Sequence, residues 1–347
     1  MGFDPQTFWL VGAVLLLLGL ATGVGRLLKR QNSLGLNPAS IQQFNTRIRA
    51  WWLLCAVLAA AFWLGQTATV VLFGLLSFWA LREFITLTPT RAADHRALFW
   101  VFTVFTPLQY VLVGLERYGL YSVLIPVYAF LFIPARIALA GDYKRYLERC
   151  AKIQAGLMIC VFCLSHAPAL LSLDLTGVNR ASEAADDAGD SEVAAIDSET
   201  SGEERRRPPK EKGPNGRLLF FFILVVTLGD AFQYTSEKLI GKHVIAPAIS
   251  GAKTWEGFLG GISCAALFGT SLWWATPFSP WQAAVMSLVI TTMGFAGGMT
   301  MSAIKRDRGV KDYGTLVEGH GGVLDRIDSI CFAAPVFFHF TRFLLPQ

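Results

Sequence analysis

The chain has 347 residues, 53% of them hydrophobic and 16% charged, with a mean hydropathy of +0.46. That balance is too apolar for an ordinary water-soluble domain and is the composition of a polytopic membrane protein. The net charge of +5 is modest, and its Lys and Arg sit in short loops between apolar runs, a distribution that concerns membrane orientation and gives no support to a nucleic-acid partner.

A membrane-crossing helix needs about 20 mostly apolar residues, and counting along the chain predicts an all-α membrane protein with ten candidate transmembrane helices. They lie at approximately 7–28, 50–65, 67–87, 98–115, 118–140, 153–175, 217–236, 258–276, 281–304 and 327–345. Neither a basic leader nor a small-residue cleavage site frames the first, which reads as a retained span. The second is short and separated from the third only at Gly65–Thr67, so the pair is a tight hairpin or one re-entrant element, and the total is nine or ten. Of the six cysteines, only Cys150 lies outside the apolar runs. Cys160 and Cys163 form a lone CxxC inside a span, which reads as packing and not as a metal or disulfide site.

Orientation follows from the basic residues. Arg26, Lys29, Arg30, Arg47 and Arg49 follow the first span, Arg82, Arg91 and Arg96 the third, and Lys144, Arg145, Arg149 and Lys152 the fifth. These loops are expected to be cytoplasmic. Alternation over ten spans puts 237–257 and 305–326 on the same side. Residues 176–216 stand apart: nine carboxylates from Glu183 to Glu204 come without a Lys or Arg, and Arg205, Arg206, Arg207, Lys210 and Lys212 follow. Such blocked charge without apolar anchors predicts a disordered linker. The expected regions are therefore membrane helices over 1–175, the acidic linker over 176–216, and a second set of membrane helices over 217–347.

Two polar stretches interrupt the apolar pattern of that last region. Asp230 lies late in one span, and Lys253, Thr254 and Glu256 precede the next at a spacing that suits the first turn of a helix, with Ser250 or Thr254 as its cap. Ser302 to Asp328 then concentrates Lys305, Arg306, Lys311, Asp312, Glu318, His320, Asp325, Arg326 and Asp328 between two apolar runs. Charge beside membrane spans is costly and usually functional. Lys and Arg grip phosphate oxygens, carboxylates hold hard cations, and Gly319, Gly321 and Gly322 allow backbone to approach a phosphate, with His320 as a further donor. Asp325 and Asp328, three apart, share a face if the last helix begins near Leu324. Arg82, Glu83 and Arg136 at span ends read as snorkelling or paired residues, and His166 and His339 as packing residues.

The order Ser302, Lys305-Arg306, Lys311-Asp312, Gly314, His320-Gly321-Gly322, Asp325-Arg326, Asp328 resembles the signature of the phosphatidate cytidylyltransferase (CDP-diacylglycerol synthase) family. A second match runs through Gly229-Asp230, Tyr234, Gly241-Lys242, Ser250 and Lys253-Thr254-Trp255-Glu256-Gly257, and together the two cover residues 217–345. The chain departs from the family pattern at Gln233 (usually Ala), Glu237 (usually Gly), Gly251 (usually Pro) and Glu318 (usually Pro). Where the family ends a helix Gly-Asp-Leu-x-Glu-Ser, this chain reads Gly297-Gly298-Met299-Thr300-Met301-Ser302, two carboxylates fewer. The resemblance is to a divergent member.

The resemblance implies a membrane-embedded nucleotidyltransferase that moves CMP from CTP to phosphatidate, giving CDP-diacylglycerol and pyrophosphate. It implies Mg2+ on Asp230, Asp325 and Asp328. Lys253, Lys305, Arg306, Lys311 and Arg326 would face phosphates, and Ser302 with Gly319–Gly322 would cradle them. Asp312 would orient a lysine, and Thr254, Glu256 and His320 would complete the site. The implied setting is a bacterial inner (cell) membrane, with lipids around the chain, the site loops cytoplasmic, and room for a homodimer. Two alternatives stay open: a CTP-dependent enzyme acting on another lipid or alcohol phosphate, and a noncatalytic membrane scaffold.

Overall fold

A computed structural model describes residues 65–87, 90–173, 216–314 and 321–344, with isolated positions before them. The first two candidate spans, the acidic segment 176–215, Glu318, Gly319 and His320 lie outside the described residues. The chain divides into two compact units, Met1–Leu72 and Phe73–Gln347. The described part of the first is the start of one helix; the second holds the remaining elements.

Eight helices carry the described chain: α1 (Gln66–Thr86), α2 (Ala92–Gly114), α3 (Tyr118–Ala138), α4 (Tyr146–Ser172), α5 (Gly216–Ile240), α6 (Trp255–Ser271), α7 (Pro280–Asp307) and α8 (Leu324–Leu344). Seven of them are long and apolar enough to cross a membrane; α6 has 17 residues. Each overlaps the span expected from hydropathy. Between α5 and α6 the chain forms a hairpin that hydropathy did not foresee, β1 (Val244–Ala246) antiparallel to β2 (Ser250–Thr254), pairing Val244 with Thr254 and Ala246 with Ser250. Lys253 therefore lies on a strand and not in a helical turn. Thr254 is the cap of α6, its hydroxyl accepting from Gly257 N at 3.1 Å.

Local chemistry sets the helix ends. Pro280 opens α7 behind Ser279, whose N–H donates to Gln282 Oε1 at 2.9 Å. Its other end closes at Gly309, with φ of +69°, where Gly309 N and Val310 N donate to Arg306 O and Lys305 O, both at 3.0 Å. That Schellman arrangement turns the chain just after Lys305 and Arg306. Short π-helical segments, Val101–Phe105, Leu124–Ala129 and Met158–Cys163, interrupt α2, α3 and α4.

Small residues let the second-unit helices approach closely. A Cβ on Gly257 or Gly261 of α6 would overlap Glu237 or Gln233 of α5, and one on Gly297 of α7 would meet Asp328 O of α8 at 2.8 Å. Phe221, Phe222 and Phe337 fill the core, Phe222 stacked on Phe337 at 5.2 Å. Gln109 ties three helices, its Nε2 donating to Tyr121 O and Ser165 Oγ at 3.1 and 3.0 Å. At the α4 start, buried Arg149 donates to Asp94 Oδ1 at 2.6 Å and to the Asp142 and Lys144 carbonyls, holding the α3–α4 loop by a fully satisfied ion pair.

Contacts fix the two ends of the second unit. Arg308 beyond α7 reaches Glu148 of α4 at 3.8 Å, and Arg306 Nε donates to Ile249 O of the hairpin at 3.2 Å. At the other end Arg342 lies 3.6 Å over the Tyr118 ring. The basic loop 139–145, the hairpin and the α7–α8 turn thus share one end. Ser172 and Gly216, which flank the acidic segment, leave from the opposite one.

Candidate active site

The site forms where the end of α5, the hairpin, the end of α7 and the start of α8 converge. Asp230 of α5 and Asp328 of α8 lie within electrostatic reach of each other, with Ser329 beside Asp230. Both are half-buried. Lys253 stands on the Asp230 side and Lys305 on the Asp328 side. Gly298 of α7 faces Asp328 across open space: an added Cβ would meet only Asp328 Oδ2, at 3.9 Å.

Asp325 is arranged differently. Its Oδ1 accepts from Lys305 Nζ at 2.7 Å, and its Oδ2 from Tyr313 N at 2.8 Å and Gly322 N at 3.0 Å. Three donors on one carboxylate make it a brace for the turn and an anchor for Lys305. Tyr313 is buried, its hydroxyl donates to Met301 O at 3.0 Å, and burial pushes its ionisation well up, so it is a neutral donor in any working range. Gly321, with φ of +82°, brings the chain past Asp312 and Asp325 closely enough that a Cβ would meet Asp325 Oδ2 at 2.8 Å.

Lys253 pairs with Glu237 Oε1 at 3.5 Å, and its ammonium lies 5.4 Å from the Phe295 ring centre. Glu256 accepts from Lys242 N and His243 N, each at 3.1 Å, and from the His243 ring. These contacts hold its carboxyl at about 2, the His243 hydrogen bond being the largest cause, so Glu256 is a fixed charge closing the hairpin. Arg306 spends its guanidinium on Ile249 O and Val310 O, joining the two polar stretches. Ser302 Oγ donates to Gly298 O at 2.7 Å, within its own helix. Lys311, Asp312 and Arg326 are exposed. Of the residues expected at the site, Asp230, Lys253, Ser302, Lys305, Asp325 and Asp328 come together, and Thr254, Glu256, Arg306, Gly321 and Gly322 frame them.

Two participants were missed. Glu237 has a sequence signal only as a departure from the family pattern. Glu83 of α1 is buried, and its carboxylate accepts from Val323 N at 3.0 Å and Leu324 N at 2.8 Å. Reading span ends singly, no signal tied it to a turn 240 residues later.

The sequence profile of the cytidylyltransferase family matches residues 45–344. The chain belongs to that family. It is 35% identical over 306 residues to the Escherichia coli (strain K12) protein named "Uncharacterized protein YnbB", covering 86% of this chain and 87% of that one. It is 38% identical over 115 residues to the phosphatidate cytidylyltransferase of Staphylococcus aureus (strain COL), covering 33% of this chain and 44% of that protein. The phosphatidate cytidylyltransferase of Staphylococcus haemolyticus matches over the same extent. Family membership and the apolar helices together make this cytidylyltransferase-family chain an integral membrane protein.

The Asp230–Asp328 pair also bears on a metal. Two carboxylates within electrostatic reach of each other in a half-buried site repel unless a cation or a proton lies between them. Among the described residues no three His, Cys, Asp or Glu form a ready-made cage. Mg2+ usually takes one or two carboxylates plus substrate phosphates. The open space at Gly298 leaves room for such ligands, so the residues present fit the ion. Asp325, with its three protein donors, fits it less well.

Proposed function

We propose that the chain transfers CMP from CTP to a lipid phosphate, phosphatidate being the first candidate, with release of pyrophosphate. The observation that carries this reading is the Asp230–Asp328 pair flanked by Lys253 and Lys305 at one end of a helical membrane unit. The names of the staphylococcal relatives support phosphatidate. Their match spans a third of the chain, so other lipid and alcohol phosphates belong in any acceptor panel.

A phosphomonoester is already anionic near neutral pH and needs no strong general base to attack the α-phosphorus. An oxygen of the lipid phosphate forms the new P–O bond there as the bond to pyrophosphate breaks. The protein's task is to align two polyanions and cancel their repulsion. Mg2+, held by Asp230 and Asp328, would supply a compact positive charge for the phosphate oxygens. Lys305, steered by Asp325, and Lys253, steered by Glu237, contribute charge from either side, and Arg306 locks the hairpin to α7 so that both lysines keep their places. Lys311 and Arg326 are exposed at the same end, placed for the outer phosphates. The apolar spans let acyl chains stay in the bilayer, and the site end is taken as cytoplasmic, in a bacterial inner membrane, where CTP is present.

The test is incubation of purified protein with CTP labelled at the α-phosphate, Mg2+ and a panel of lipid phosphates. Label moving into the organic phase with equimolar pyrophosphate is expected. No transfer to any acceptor would remove the reading and leave a scaffold.

A further inference from the structure

We propose that Glu83 is a positioning residue for the α7–α8 turn, so that a helix outside both polar stretches sets the geometry of Lys305, Asp325 and Asp328. The first turn of any helix leaves N–H groups without partners, usually capped by a nearby side chain. At α8 the local carboxylate, Asp325, is committed to Gly322 N, Tyr313 N and Lys305. The N–H groups of Val323 and Leu324 are instead capped by Glu83, one on each carboxylate oxygen.

The fit around that carboxylate is tight on the turn's side as well. A Cβ on Gly314 would lie 2.9 Å from Glu83 Oε1, and one on Gly322 would overlap the carboxylate outright. A Cβ on Gly314 would also lie 3.3 Å from Gly322 Cα, so Glu83 sits at the neck where the turn leaves and returns. The next residue, Phe84, stacks on Tyr313 at 6.3 Å and 17°. α1 therefore grips the turn twice, at the start of α8 and at the ring beneath Lys305, whose ammonium lies 5.4 Å from Tyr313's ring centre. A carboxylate buried in an apolar helix is costly unless fully hydrogen-bonded, and here both oxygens are spent on holding backbone one residue from Asp325.

Hydrogen exchange on full-length protein in lipid nanodiscs tests the grip without reference to activity. Glu83→Gln keeps the shape and one acceptor. Gly322→Ala displaces the carboxylate from the other side, and serves should a position-83 variant not be recovered. Either change should speed exchange of peptides covering 321–326 by about 10-fold or more, the factor that goes with one lost hydrogen bond to a charged group, while the Leu218–Val226 stretch of α5 exchanges as before. Native exchange over 321–326 in both variants would overturn the proposal.

The kinetic arm rests on the function proposed above. With melting temperature unchanged, Glu83→Gln should lower kcat by about 10-fold or more, since small misplacements of aligned groups are amplified in rate. Faster exchange with native turnover would reduce Glu83 to a helix cap and overturn its positioning role. A native chain that turns over no CTP would instead sink the function, while the exchange result still decides whether Glu83 holds the turn.

Discussion

At the residue scale, the two motif carboxylates on α8 divide the work between them. Asp328, within electrostatic reach of Asp230 and beside the open space at Gly298, would hold the proposed cation, whereas Asp325 is consumed by Lys305 and two backbone donors. Asp328→Asn keeps size and removes charge, so the protein should fold while turnover falls by about 10² or more, the scale of losing one electrostatic element of a transition state. Gly298→Asp adds a carboxylate into that space and should lower the Mg2+ concentration at half-maximal rate; an unchanged Mg2+ curve would place the ion elsewhere. Sequence alone could group Asp230, Asp325 and Asp328 by type and spacing. It could not rank them, because the ranking depends on which backbone N–H groups the turn at Gly321 presents to each. Glu83 was illegible for the same reason, its partners being amides of a turn in another part of the chain.

At the element scale, hydropathy located the described helices well, since a span must satisfy its backbone internally and so declares itself by length and apolarity. The hairpin 244–254 declared nothing, being short, exposed and closed by side chains from outside its strands. Glu256 is the chief of these. Its carboxyl, held at about 2 against an ordinary 4.5, stabilises the hairpin above about pH 4.5, and that contribution is lost as pH falls towards 2. Glu256→Gln should therefore speed hydrogen exchange of 242–254 at pH 7, where the native hairpin is protected, and should flatten its response between pH 4.5 and 2. A native protein whose hairpin exchange is insensitive to acid over that window would show that Glu256 is not its clasp. The acidic tract makes the opposite prediction. With no apolar anchors it has nothing to pack, so deleting 181–212 should leave turnover within about twofold of native, and a folded deletion protein that has lost turnover would show the tract acting on the site.

At the scale of the whole molecule, the basic loop 139–145 and the site turn share one end while the flanks of the acidic tract leave from the other. The basic loops together with the alternation of spans predict that shared end, because neither reading needs tertiary structure. Cysteine placed at Arg308 in a cysteine-free background should react only with reagents admitted to the cytoplasm; labelling from outside would reverse the topology and cut the site off from CTP. The central claim, CMP transfer to a lipid phosphate at the Asp230–Asp328 pair, is tested most directly by one comparison. Native protein and Asp328→Asn, each reconstituted with phosphatidate and Mg2+, are given CTP labelled at the α-phosphate, and labelled liponucleotide and pyrophosphate are counted together. Equimolar products from the native protein and at least about 10²-fold less from the variant are the predicted result; equal rates from the two proteins would contradict it.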